Sequence, residues 1–126
     1  MCAKSVDELQ VYQKALKAAD AVSAILKRPC FRQDPRLRDQ MGASSERVAS
    51  DISEGFGQST DRHFAVYLHG SRSSSNEIRT QLRVAFGREY ISATERDDLC
   101  GMYDEIARMT TGLIKHLRRE DRRERG

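Results

Sequence analysis

DRHFAVYLHGSRSSSNEIRTQLRVAFGR, residues 61–88, decides the fold. Within it Phe64, Leu68, Ser71, Ser75, Ile78, Leu82 and Ala85 recur three or four positions apart, so they share one face of a helix. The spacing predicts a helix over about Asp61 to Arg88, capped by Ser59 or Thr60. The centre of the stripe is the polar run Ser71 to Asn76. Small hydroxyls at core spacing have two readings. They let helix backbones approach closely, or they line a polar, hydrated seam, because an unpartnered hydroxyl is costly to bury.

The same period extends outward on both sides. Leu37, Met41, Ser45, Val48, Ile52 and Phe56 predict a second helix from Pro35 to Phe56, with Asp34 as cap, Pro35 in the first turn, and Gly55 and Gly57 at its end. Leu9, Tyr12, Leu16, Ala19, Val22 and Leu26 predict a first helix from about Val6 to Arg28, opened by Ser5 with Glu8 at capping-box spacing and stopped at Pro29. Leu99, Met102, Ile106, Met109, Leu113 and Leu117 predict a fourth from about Thr94 to Arg123, with Thr94 and Glu95 or Asp97 as its opening signature. No strand-like alternation of any length occurs. Short links between long helices make neighbours antiparallel. The expectation is an all-α, antiparallel up-down-up-down four-helix bundle, a single domain over residues 1–126.

Composition agrees. The chain is 38% hydrophobic and 33% charged, with 8 Gly, 2 Pro and no Trp, too few turn formers for a β-sandwich. No apolar run is long enough to cross a bilayer, so no membrane partner is expected. Residues 1–7 carry no secretory core. Cys2, Cys30 and Cys100 are odd in number and far apart, which points to a reducing, cytoplasmic setting and away from a disulfide scaffold or zinc finger. His63, His69 and His116 are scattered, and there is no Glu-x-x-His, phosphate loop or nucleophile elbow. The expectation is no catalytic residue, no metal, no cofactor and no enzyme.

Charge is unevenly placed. The stretch 115–126 holds six basic residues (Lys115, Arg118, Arg119, Arg122, Arg123, Arg125) against the acids Glu120, Asp121 and Glu124, and this accounts for the whole net charge of +3. Such an end suits phosphate backbones; it equally suits a frayed, solvated helix end, where cations offset the helix dipole. Arg72, Arg79 and Arg83 fall seven and four apart, either a phosphate track or a salt-bridged solvent face with Glu77 among its partners. Asp51, Glu54 and Gly55, with Asn76 and Glu77, have a structural reading: bonds across the bundle or to another subunit, and a tied turn into the third helix.

These residues also carry a resemblance. Asp51-Ile52-Ser53-Glu54-Gly55-Phe56-Gly57-Gln58 resembles the Asn-Ile-Ala-Glu-Gly-x-Gly-Arg signature of the four-helix-bundle proteins encoded by intervening sequences in 23S ribosomal RNA genes. Ser71-Arg72-Ser73-Ser74-Ser75-Asn76-Glu77-Ile78 is similar to that family's Ala-Arg-Gly-Ser-Leu-x-Glu-Leu. Leu9-Gln10-Val11-Tyr12-Gln13-Lys14-Ala15 and Leu37-Arg38-Asp39-Gln40-Met41 resemble the openings of its first two helices. The resemblance spans about residues 5–120. It implies a ring-like homopentamer and kinship with accessory proteins of diversity-generating retroelements, basic pentameric barrels that bind nucleic acid and a reverse transcriptase. No enzymatic activity is attached to it. Asp51 and Gln58 stand where the family has Asn and a basic residue, Ser73 where it has Gly, and Arg47 where it often has a small Ser. That end is thereby less cationic, which leaves Arg72, Arg79, Arg83, Lys115, Arg118, Arg119, Arg122 and Arg123 as candidate nucleic-acid contacts. The expected function is a non-enzymatic scaffold that binds RNA or DNA non-specifically. The alternative is a protein–protein adaptor, for instance for a polymerase or reverse transcriptase, that touches no nucleic acid itself.

Overall fold

A computed structural model describes residues 3–126; Cys2 lies outside them. Four α-helices carry the fold, and no strand occurs among the described residues. They are α1 (Gln10–Leu26), α2 (Pro35–Phe56), α3 (Asp61–Gly87) and α4 (Ala93–Arg125), with short 3-10 turns at Val6–Glu8 and Pro29–Gln33.

The α3 stripe is buried along its whole length, from Phe64 to Ala85. Its serines are partnered. Ser71 Oγ donates to the Val48 carbonyl of α2 at 2.7 Å, and Ser75 Oγ to the Ser71 carbonyl at 3.0 Å. A serine that short reaches a neighbouring helix's backbone only where the two helices nearly touch. Gly55 confirms the closeness: a Cβ there would lie 2.8 Å from both Phe64 Cδ1 and Tyr67 Cβ. Contacts between α2 and α3 run in opposite sequence order, Gly55 on Phe64, Val48 on Ser71, Ser44 on Glu77. Those between α3 and α4 do the same, His69 on Arg118, Arg72 on Thr111, Arg79 on Asp104.

Four expectations are corrected. The first helix begins at Gln10, not Val6. Leu9 is extended, and Ser5 makes no side-chain cap bond. The Glu8 carboxylate instead accepts from the Lys4 amide at 2.7 Å, so the reciprocal bond to Ser5 is never made. The buried face of α1 is Val11, Ala15, Ala18, Val22 and Ile25, which leaves Leu16 42% exposed. Both arcs satisfy helical spacing; burial selects the one whose alanines let α1 nestle between α2 and α4. In α4 the cap is Ser92, not Thr94. Ser92 Oγ accepts from Glu95 N at 3.1 Å, and Glu95 Oε1 accepts from Ser92 N at 2.9 Å, a complete capping box. The α4 core face is Leu99, Tyr103, Ile106, Ala107, Thr110, Ile114 and Leu117, whereas Met102, Met109 and Leu113 are half-buried.

The connectors at one end are tied together. Asp34 caps α2 through the Leu37 amide at 3.4 Å and accepts from Arg88 at 2.6 Å and from the Tyr90 hydroxyl at 2.9 Å. Burial opposes its ionisation, but these bonds win and lower its pKa. Arg28 donates to both oxygens of Glu95 and to the Tyr90 carbonyl at 3.3 Å. The turn after α3 closes in a Schellman pattern, Tyr90 N to Ala85 O and Glu89 N to Phe86 O, with Glu89 at φ 66° where glycine is usual.

Three outcomes follow for stability. Gly55→Ala must wedge α2 from α3, and a urea melt should show a loss of roughly 1–3 kcal/mol. Glu89→Gly relieves left-handed strain less the extra chain freedom of glycine, a gain of about 0.5–1 kcal/mol. The hydrogen bonds from Arg28 and the Ser92 backbone hold the Glu95 carboxyl at about 2, below its usual 4.5. Its contribution is therefore complete above pH 4.5 and is lost as pH falls toward 2. Glu95→Gln should lower the urea midpoint at pH 7 and flatten its decline across that acid window.

Candidate nucleic-acid interface

The basic side chains divide into those with partners and those without. Arg72 and Arg79 turn into the α3–α4 seam. Arg72 Nη1 donates to Thr111 Oγ1 at 3.2 Å. Arg79 lies 3.2 Å from Asn76 Oδ1 and 3.8 Å from Asp104 Oδ1. Arg83 is exposed. Glu77 does not serve this stripe: it crosses to α2, where it accepts from Ser44 Oγ at 2.6 Å and from Arg47. The Ser44 bond leads, and with Arg47 it lowers the Glu77 pKa.

The end of α4 is helical through Arg125. Arg123 pairs with Glu120 at 3.1 Å and Arg125 with Asp121 at 3.2 Å. Lys115, Arg119 and Arg122 are exposed and have no ion pair among the described residues. They sit four and three apart and so project from one face of α4. Arg118 reaches α3 instead. Its Nη2 lies 2.7 Å from His69 Nε2, while Arg72 Nη2 lies 2.9 Å from His69 Nδ1. Burial, then the two guanidiniums, lower the His69 pKa and favour its neutral form. Beside this cluster a cleft of about 310 Å³ opens between α3 and α4, lined by Arg62, Val66, Arg118, Asp121 and Arg122 among others.

His69 and Arg62 were not among the candidates read from the sequence. A signal for them existed: Arg62, Val66 and His69 lie four and three apart, as Arg118 and Arg122 lie four apart. The pairing of those two faces depends on helix register, which spacing within one helix does not reveal.

The remaining motif residues make contacts within the bundle. Asp51 packs against Gly70, where a Cβ would come within 2.7 Å of Asp51 Oδ2, and burial raises its pKa. Gly55 gives the close approach to α3. The turn beyond it is tied by Gln58 Nε2 donating to the Glu54 carbonyl at 3.1 Å, a backbone bond rather than one from the Glu54 carboxylate. Asn76 accepts from Arg79. Cys30 and Cys100 are free thiols, and no His, Cys, Asp and Glu grouping suited to a metal occurs among the described residues. No helix among them is long and apolar enough to cross a membrane.

No curated protein matches the chain. One solved structure, a protein of unknown function from the S23 ribosomal protein family of Bacteroides thetaiotaomicron, superposes with a TM-score of 0.77 at 20% identity, over 83% of this chain and 98% of that one. At that identity the likeness speaks to the fold alone. The sequence pattern of the 23S rRNA-intervening sequence proteins matches residues 7–112, the four-helix body with the Asp51–Gln58 and Ser71–Ile78 stretches. The chain belongs to the 23S rRNA-intervening sequence protein family.

Proposed function

We propose that this chain is a non-enzymatic four-helix-bundle scaffold that holds RNA or DNA by its phosphates without reading base sequence. The face of Lys115, Arg119 and Arg122 carries this reading. Arg28, Arg47, Arg88, Arg96 and Arg108 by contrast each pair with an acid. Three unmatched cations on one helical face, beside a cleft edged by Arg62 and Arg118, form a surface on which phosphates displace counterions. Arg72, Arg79, Arg83 and Arg123 belong to its surroundings, Arg83 as the open member of the α3 stripe.

We also propose that the helices run up-down-up-down in one domain and that copies assemble into a ring-like homopentamer. The reverse-ordered contacts support the course of the helices. Support for assembly comes from a groove of about 330 Å³ between α1 and α2, lined in part by Tyr12, Leu16, Ala19 and Ala49. The same groove carries Glu46 and Glu54, a chemistry that suits a protein rather than a phosphate. It is the observation that favours the second reading, an adaptor for a polymerase or reverse transcriptase.

Size exclusion with light scattering, read at protein and nucleic-acid wavelengths, tests assembly: a mass five times that of the chain is expected, and a monomer overturns the ring. Anisotropy of a labelled oligonucleotide tests binding. Affinity should fall steeply with salt, and changing Lys115, Arg119 and Arg122 together to Gln should reduce the slope of log affinity against log salt by about two to three while leaving helicity intact. Absence of salt-sensitive binding at low salt overturns the nucleic-acid reading. Nuclease-resistant capture of a polymerase partner would then establish the adaptor.

A further inference from the structure

The contacts of His69 contain a conflict. Both ring nitrogens lie within hydrogen-bond distance of a guanidinium, 2.9 Å from Arg72 and 2.7 Å from Arg118. A guanidinium only donates, and a neutral imidazole has one acceptor nitrogen and one N–H. One contact is therefore a hydrogen bond and the other sets an N–H donor against a cation. A protonated ring would face both guanidiniums with donors.

The surroundings sharpen this. On α3 the groups on the cleft side are Asp61, Arg62 and Arg72; on α4 they are Arg118, Asp121 and Arg122. Asp121 is already engaged by Arg125 at 3.2 Å. Asp61 sits in the first turn of α3, where the helix dipole favours its charge. From α2, Asp51 lies against Gly70, beside His69 in sequence. Two arginines thus touch the imidazole and two more, Arg62 and Arg122, line the cleft beside it, with one acid pair-bonded and another held at a helix start. The cleft, about 310 Å³, lies at the lower edge of the size range of small-ligand pockets.

An oxyanion placed there reverses the local sign. Seated between the ring and Arg118, its oxygens accept from Arg118, Arg62 and Arg122 and from the His69 Nε2–H that Arg118 had faced, while Arg72, which also bonds Thr111, draws back from Nδ1. We propose that this cleft is a proton-coupled phosphate site: as a phosphate group enters, His69 takes up a proton from solvent and donates to it, so the grip on a nucleic-acid backbone tightens as pH falls. This rests on the nucleic-acid reading above and adds its regulation. The lowered pKa of the unliganded ring agrees, because burial and two neighbouring cations oppose protonation until an anion arrives.

The test uses the full chain and two probes. Sulfate stands in for phosphate because its charge is constant between pH 5 and 8. The His69 ring protons are followed by NMR against pH, in sulfate and in chloride at matched ionic strength, with His63 and His116 as internal references. The His69 midpoint should rise by about one unit in sulfate, which corresponds to tenfold tighter binding of the anion to the protonated form. A labelled single-stranded oligonucleotide should bind about tenfold tighter at pH 5.5 than at pH 8. His69→Gln should flatten most of that dependence, and His69→Lys should bind at pH 8 as the unmodified chain does at pH 5.5. If neither variant folds, the titration of the unmodified chain decides. Oligonucleotide binding with an unmoved His69 midpoint in both probes overturns the proton coupling and leaves the nucleic-acid reading standing. A midpoint raised by sulfate with no oligonucleotide binding at any pH overturns the nucleic-acid reading and keeps an oxyanion site. No response to either probe overturns both.

Discussion

Gly55 leaves no room between α2 and α3, and the rest of the molecule is arranged around that closeness. Phe64 and Tyr67 occupy the space a side chain at Gly55 would need. Further along, Ser71 bonds directly to the backbone of α2, and Glu77 reaches across to Ser44 and Arg47. Small residues on both helices make the approach possible, and hydroxyl bonds make it tolerable, because Ser44, Ser45, Ser71 and Ser75 each find an acceptor within a turn or across the seam. With α2 and α3 this close, α3 turns its other flank to α4. That flank carries Arg72, Arg79 and His69, which meet Thr111, Asp104 and Arg118.

The two ends of the bundle differ in how completely their charges are paired. At the connector end, acids and bases alternate: Asp34 with Arg88 and Tyr90, Glu95 with Arg28. Phe31 and Tyr90 pack above them with ring centroids 5.0 Å apart. At the other end, where α3 begins and α4 finishes, Arg72 and Arg118 press upon one imidazole, and Lys115, Arg119 and Arg122 stand unmatched. The first arrangement is complete in itself. The second leaves cations without acidic partners among the described residues, and the proposed phosphate binding rests on that difference.

Much of this was legible in the residues. The α3 face could be read because its apolar stripe is flanked by charge, so one phase alone fits. The α1 face could not, because Leu9, Tyr12 and Leu16 and the arc of Val11, Ala15 and Ala18 obey the same spacing. Only packing between two neighbours, which favours alanine over leucine, selects between them. Thr94 was the cap read from the sequence of α4, but the cap is Ser92, which has Glu95 three residues after it. At the site, the charges of Arg72, Arg118 and Arg122 were visible as composition. Their meeting at His69 was not, because it depends on the register of α3 against α4, set by buried contacts far from the charges themselves.

The hydroxyl-rich interior has a thermal consequence. Ser44, Ser45, Ser71, Ser74, Ser75 and Thr110 are buried where many bundles place leucine or isoleucine. Exposure of apolar surface raises the heat capacity of unfolding and exposure of polar surface lowers it. A core in which hydroxyls replace branched aliphatics therefore has a smaller heat-capacity change for its length. Its stability curve is correspondingly broad, so the body that presents the basic end loses little of its stability on cooling or moderate warming.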